Sequence, residues 1–259
     1  MRRLVALALG MLVSAGQVGI APLATDRLVM NPIHLLHVDN AAVTSTNWSG
    51  YAVADQAFTG VQGAWNEPTG TCTSQTTAAA FWVGIDGYDS DSVEQLGSSV
   101  DCTSGVPSYY AWYEMYPAAS VELSTSTYPV APGDQMEAEV LVKGTSYKLA
   151  MRDISSTGTT KWTFVTNQTS TTATDASAEW VSEAPSECLL IVCHVLPLTH
   201  YSTVTFKSAE ASSGGAMSPI SSFSDNNAIT METSGGTIES VPSSLTSNGE
   251  SFTTSWEAT

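Results

Sequence analysis

The sequence predicts an all-β protein, an antiparallel sandwich or barrel, on three observations. From Thr44 onward Ser, Thr and Gly are abundant, helical periodicity is absent, and short alternating runs recur between turn residues. The even spacing, with no linker composition between runs, favours one domain over two.

The strands can be taken in order of how plainly they read. In Gln135–Lys143, Met136, Ala138, Val140 and Val142 point one way, and Glu137 and Glu139 the other. In Tyr147–Ile154, Tyr147, Leu149 and Met151 oppose Lys148 and Arg152. Both are ordinary strands with one wet face, and Gly144-Thr145 between them makes a short hairpin. Three other runs depart from that pattern. Tyr109–Tyr116 places Trp112, Glu114 and Tyr116 on one face, Phe81–Asp86 does the same with Trp82, Gly84 and Asp86, and Ala178–Glu183 with Glu179, Val181 and Glu183. Acids flanked by aromatics along a strand suit the wall of a groove better than a core. Trp65, Trp162 and Trp180 read as core residues instead.

The first residues predict export. Met1-Arg2-Arg3 is basic, Leu4–Val13 is apolar, and Val13-Ser14-Ala15 is small, the order of a secretory signal peptide over 1–15, with cleavage as late as about 21. The apolar run is too short for a bilayer that needs about 20 residues. Residues 16–43, without turn punctuation, read as a short pro-segment, leaving 44–259 as a soluble, secreted, extracellular domain, a monomer by default.

Charge narrows the partners. From Thr44 onward 23 Asp and Glu face five Lys and Arg, a net charge of −18. Nucleic acid and anionic membranes are excluded as partners, because phosphate binding needs clustered cations. In acid most carboxylates lose their charge and only a handful of cations remain, so such a chain does not repel itself there; near neutrality it does. The composition suits an acidic medium. Four cysteines in an exported chain predict disulfides, and of the three pairings open, Cys72–Cys102 and Cys188–Cys193 each close a local loop. Cys188, Cys193 and His194 do not make a metal site, since no matching ligand cluster occurs elsewhere, and no cofactor is expected.

The common hydrolase motifs are missing: no Gly-x-Ser-x-Gly elbow, no His-Glu-x-x-His helix, no phosphate loop and no Asp-Thr/Ser-Gly. His34 and His37 fall in the pro-segment, and a histidine base is protonated in acid. Carboxylates, carboxamides and aromatics remain.

Five segments then occur in order: Asn47-Trp48-Ser49-Gly50-Tyr51, Trp82-Val83-Gly84-Ile85-Asp86-Gly87, Val93-Glu94-Gln95-Leu96-Gly97, Tyr110-Ala111-Trp112-Tyr113-Glu114-Met115-Tyr116-Pro117 and Ala178-Glu179-Trp180-Val181-Ser182-Glu183. Together they resemble the successive signatures of the glutamic peptidases, or eqolisins, from about Asn47 to beyond Phe206. The resemblance implies a sandwich of two bent antiparallel sheets, of concanavalin-like, jelly-roll type, with a concave substrate groove. It implies proteolysis of polypeptides at acid pH, with Gln95 and Glu179 catalytic and Trp82, Asp86, Trp112, Glu114 and Tyr116 lining the site. The pro-segment departs from the family, holding only Arg27, His34 and His37 as cations where family pro-segments are richer in base.

The residues support that chemistry independently. A carboxyl such as Glu179 can take a proton from water and return one to the leaving nitrogen. The Gln95 amide N–H can stabilise the oxyanion at any pH, and Glu114 or Asp86 could hold that amide in orientation. The alternative is a glycoside hydrolase pairing Glu179 with Glu114 or Glu183, or a carbohydrate-binding sandwich stacking sugars on Trp112 and Tyr116. It leaves Gln95 without a task.

Overall fold

A computed structural model describes residues 27–29, 35–39, 42–54, 56–155, 157–189 and 192–257. The residues read as a signal peptide, and most of those read as a pro-segment, lie outside the described residues.

The chain folds into two antiparallel layers. The first runs, in spatial order, through Thr160–Thr169, Ser146–Ile154, Gln135–Lys143, Gly60–Asn66, Thr203–Ser212 and Phe252–Trp256. The second runs through Val121–Glu122, Val106–Tyr116, Val93–Thr103, Thr77–Ile85, Ala178–Glu183, Trp48–Val53 and Asn226–Glu232. Ile238–Pro242 pairs with both Asn226–Glu232 and Phe252–Trp256, so the layers are joined along one side. The expected all-β sandwich is the observed fold.

The alternating runs form the first layer as read. Met136, Ala138, Val140, Tyr147, Leu149 and Met151 are buried between the layers, with Trp65, Trp162 and Trp180 in the same core. Phe206 stacks on Phe252 at 5.1 Å between ring centroids. Glu137 and Arg152 stand opposite each other on the outer face and form a salt bridge. The hairpin turns at Gly144, whose φ of 60° a side chain adopts only with strain.

The second layer is buried on both faces, and this positions the site. Every residue of Trp48–Val53 and Ala178–Glu183 is buried. Inward-facing side chains meet the core; outward-facing ones form a second apolar cluster of Trp48, Ala52, Ala80, Trp82, Tyr88, Val93, Tyr110, Trp112, Val181 and Ile229. Trp48 and Trp82 meet edge to face at 4.8 Å.

Both disulfides pair as the loop argument favours, Cys72 with Cys102 and Cys188 with Cys193. The first ties the end of the Gln95 strand across 30 residues, a closure that restricts the unfolded chain by roughly 3–4 kcal/mol. The second staples the hairpin formed by Ser186–Leu189 and Val192–Val195, against which Arg27–Val29 pairs. Leu35–Asp39 pairs with Ala42–Ser45, which runs parallel to Ile229–Met231. The segment read as a pro-segment thus contains strands that its pattern does not announce. A strand added to an existing edge draws on main-chain hydrogen bonds and needs no alternation of its own.

Candidate active site

Strand register assembles the site. Glu179 stands opposite Gly84, Gly84 opposite Gln95, and Gln95 opposite Glu114. Four neighbouring strands therefore contribute one row on the outward face of the second layer. The Cα atoms of Glu179 and Gln95 lie two strand spacings apart, roughly 9–10 Å. Gly84, which stands between them in register, contributes no side chain. A Cβ on Gly84 would lie 2.9 Å from Cβ of Gln95 and 3.0 Å from Cζ3 of Trp82. Gly84→Ala should therefore push Gln95 aside and fill the space between the two groups. We expect it to cost about 1–3 kcal/mol of stability and about 10²-fold in turnover, the scale of a misplaced catalytic group. Gly215→Ala, where a Cβ meets nothing within 4 Å, should change neither; denaturant midpoints and turnover measured side by side check both.

Gln95 is fixed by a neighbour. Its Nε2 donates to Oε2 of Glu114 at 2.7 Å, with both residues fully buried. The sequence offered Glu114 or Asp86 for this task, and the hydrogen bond goes to Glu114. One N–H of Nε2 is thereby committed and the amide orientation set, leaving the second N–H for another acceptor.

Glu179 is buried, and neither carboxylate oxygen makes a hydrogen bond to the described residues. Burial above all, then the charges of Asp86, Glu94 and Asp89, hold its carboxyl well above the usual carboxylate range, against the opposing influence of the Ser177 hydroxyl. Tyr88, which sequence reasoning missed, sits nearby. Burial first, then Asp89, Asp225 and Glu179, push its phenol up to about 12.

The aromatic residues flank this row. Val181, Trp82, Gly97 and Trp112 form the next row. The Trp112 indole donates to Ser99 at 2.9 Å, and the Trp82 indole to Glu183 at 2.8 Å. Tyr116, half-buried, packs at the margin of the same cluster. Glu183 shares a face with Glu179, as read, but in another capacity. It accepts from Trp82 and, at 3.3 Å, from Asn47. Burial and then Glu114 raise its pKa well above normal, and its place is structural, under Trp82.

Asp86 departs from its expected place. The strand ends at Ile85, and Asp86 turns with φ 69° out of the face shared by Trp82 and Gly84. Its carboxylate accepts from the backbone N–H groups of Thr174, Asp175 and Ala176 and from the Thr174 hydroxyl, at 2.7–2.9 Å. It thereby anchors the turn that delivers Glu179 to the row.

A model of the Peptidase A4 family matches residues 46–256. The chain belongs to that family. This A4 member is 26% identical to aspergillopepsin-2 of Aspergillus niger over 192 residues, 66% of each chain. It is 28% identical to scytalidopepsin B of Scytalidium lignicola over 191 residues, 73% of this chain and 71% of that one. The chain thus spans just under two thirds of aspergillopepsin-2. Among solved structures, scytalido-glutamic peptidase with a transition-state analogue inhibitor superposes with a TM-score of 0.70 at 23% identity, covering 82% of this chain and 98% of that one. Aspergilloglutamic peptidase from Aspergillus niger gives a TM-score of 0.59 at 25% identity, covering 70% and 99%. These matches carry the fold and the peptidase family, and lend nothing to the carbohydrate alternative.

Proposed function

We propose that this A4 peptidase is a secreted endopeptidase that hydrolyses polypeptides in acid, with Glu179 and Gln95 performing the chemistry. The observation that carries the reading is the single row holding Glu179, the side-chain-free Gly84, and Gln95 fixed by Glu114. Water held over Gly84 gives a proton to the Glu179 carboxylate as its oxygen attacks the peptide carbonyl. The free N–H of Gln95 meets the oxyanion, and Glu179 returns the proton to the leaving nitrogen. A carboxyl with a raised pKa suits both transfers. Its ionised form, a minor fraction in acid, is a stronger base than an ordinary carboxylate and takes the first proton, while its acid form stays populated for the second step. The signal peptide over 1–15 and a pro-segment ending near Thr44 belong to the same reading, although Thr44 itself lies within the strand Ala42–Ser45.

Activity on a denatured protein should peak in acid and fade toward neutrality, and chelators or serine and cysteine reagents should leave it unchanged. Gln95→Ala should fold yet lose about 10²–10³ in turnover, the loss associated with one oxyanion donor. Near-native rates in Gln95→Ala, or a flat profile to pH 8, would overturn the assignment.

A further inference from the structure

A cavity of about 630 Å³ lies on the other side of the sandwich, on the outward face of the first layer. Its lining includes Gln62, Ala64, Glu137, Ala150, Arg152 and Lys207. Lys207, Ala64, Glu137, Arg152 and Thr163 form one register row across five strands. Lys148 lines the same cavity. Of the five cations that follow Thr44, three therefore gather in this one hollow. Only Lys143 and Lys161 lie elsewhere.

The acids there are already engaged. Glu137 pairs with Arg152 and Glu139 with Lys148, while Gln62 on the lining donates to Glu210 beside it at 2.7 Å. Lys207 forms no ion pair among the described residues. In the acidic medium proposed above, carboxylates as a class lose their charge while ammonium and guanidinium groups keep theirs. The hollow gathers three permanent cations on a protein otherwise poor in them, and Lys207 brings a charge that no acid among the described residues pairs. Its floor is small, at Ala64 and Ala150, and no aromatic lines it, so it lacks the stacking platform that neutral sugars use. Lys207 and Arg152 stand three strand spacings apart, roughly 14 Å. A row of that length suits several charges along a polymer.

We propose that this face binds a polyanion whose charge survives acid, namely a polysaccharide carrying sulfate esters, and so retains the secreted enzyme on a surface. The inference rests on the acidic working medium but not on Glu179 or Gln95, so it can fail while the peptidase reading stands. The test is a titration of the full chain and its variants with dextran sulfate at about pH 3.5. Each cation engaged at a polyanion contributes about five-fold in affinity. Lys207→Ala should weaken binding by about that factor and Lys207→Ala/Arg152→Ala by more, while cleavage of a small soluble peptide stays unchanged. Lys143→Ala removes the same charge from an exposed site outside the hollow and should have little effect. Polygalacturonate, whose carboxyls are only partly ionised at that pH, should bind more weakly than dextran sulfate, whose sulfate esters stay fully charged. Equal losses in Lys143→Ala and Lys207→Ala would mean attraction by net charge only and would overturn the site. So would absence of binding, or equal affinity for the two polymers.

Discussion

Glu179→Gln should fold as the parent does and lose about 10⁴-fold in turnover on a denatured protein in acid. That is the upper end of what general acid–base groups contribute, expected because in the proposed mechanism one carboxyl performs both proton transfers. The fold should survive because Gln keeps the size of Glu179, whose oxygens make no hydrogen bond to described residues. In acid the raised pKa leaves the parent carboxyl neutral, so replacing it by a neutral amide costs little. At higher pH the variant should be the more stable protein, since it no longer loses stability as the unfolded carboxyl ionises. Two comparisons isolate the effect. Glu257→Gln, on the exposed surface, should behave as the parent. Glu183→Gln should lose about 1–3 kcal/mol of stability, because an amide nitrogen cannot accept from Trp82 or Asn47, while the folded fraction keeps cutting. Proteolysis undiminished in Glu179→Gln would end the mechanism; a loss equal in Glu183→Gln after correction for folded fraction would favour the paired-acid alternative.

Legibility followed burial. Gln135–Lys143 and Ser146–Ile154 could be read face by face because one side of each is wet, so polarity alternates. Ala178–Glu183 was also read to the residue, through the oddity of acids sharing a face with Val181. Val93–Thr103 was not readable that way, since it is buried on both faces nearly throughout. Only the order of motifs pointed to Gln95. The same double burial explains why the acids were expected on a groove wall yet are enclosed: Trp48, Trp82, Trp112 and Ile229 form a second apolar cluster around them. Asp86 was placed on the wrong face by extending a strand one residue too far. Asp86-Gly87 is a turn dipeptide, and that signal was present. Tyr88 carried no signal, because its proximity to Glu179 comes from tertiary packing; Ser177, two residues before Glu179, was within reach of the same alternation.

Stability should be greatest in acid and collapse toward neutrality, because this fold buries carboxyls as neutral acids. Glu67 lies between the layers, accepting from Ser98, which itself accepts from the Trp65 indole at 2.9 Å. Burial pushes its pKa to about 8. Glu94, on the inward face beside Gln95, is raised to about 8 by burial and then by Asp86. Asp101 reaches about 7, chiefly through burial, and Glu179 and Glu183 move the same way. The sign follows from linkage. Below about pH 4 each group is protonated in both folded and unfolded chains, so it costs nothing. Between that pH and its folded pKa the unfolded chain releases a proton that the folded chain retains, and stability falls by about 1.4 kcal/mol per pH unit for each group. Over the window from about 4.5 to 8, Glu67 alone is worth on the order of 5 kcal/mol, and Glu94 a similar amount, against a total of roughly 5–15 kcal/mol for a typical domain. Denaturant midpoints from pH 3 to 8 should therefore fall steeply above about pH 5. Glu67→Gln, which keeps the size and cannot ionise, should flatten the curve on its alkaline side with little change near pH 3. A stability maximum near neutrality, or a Glu67→Gln curve parallel to the parent's, would show that these carboxyls are not held neutral in the folded chain.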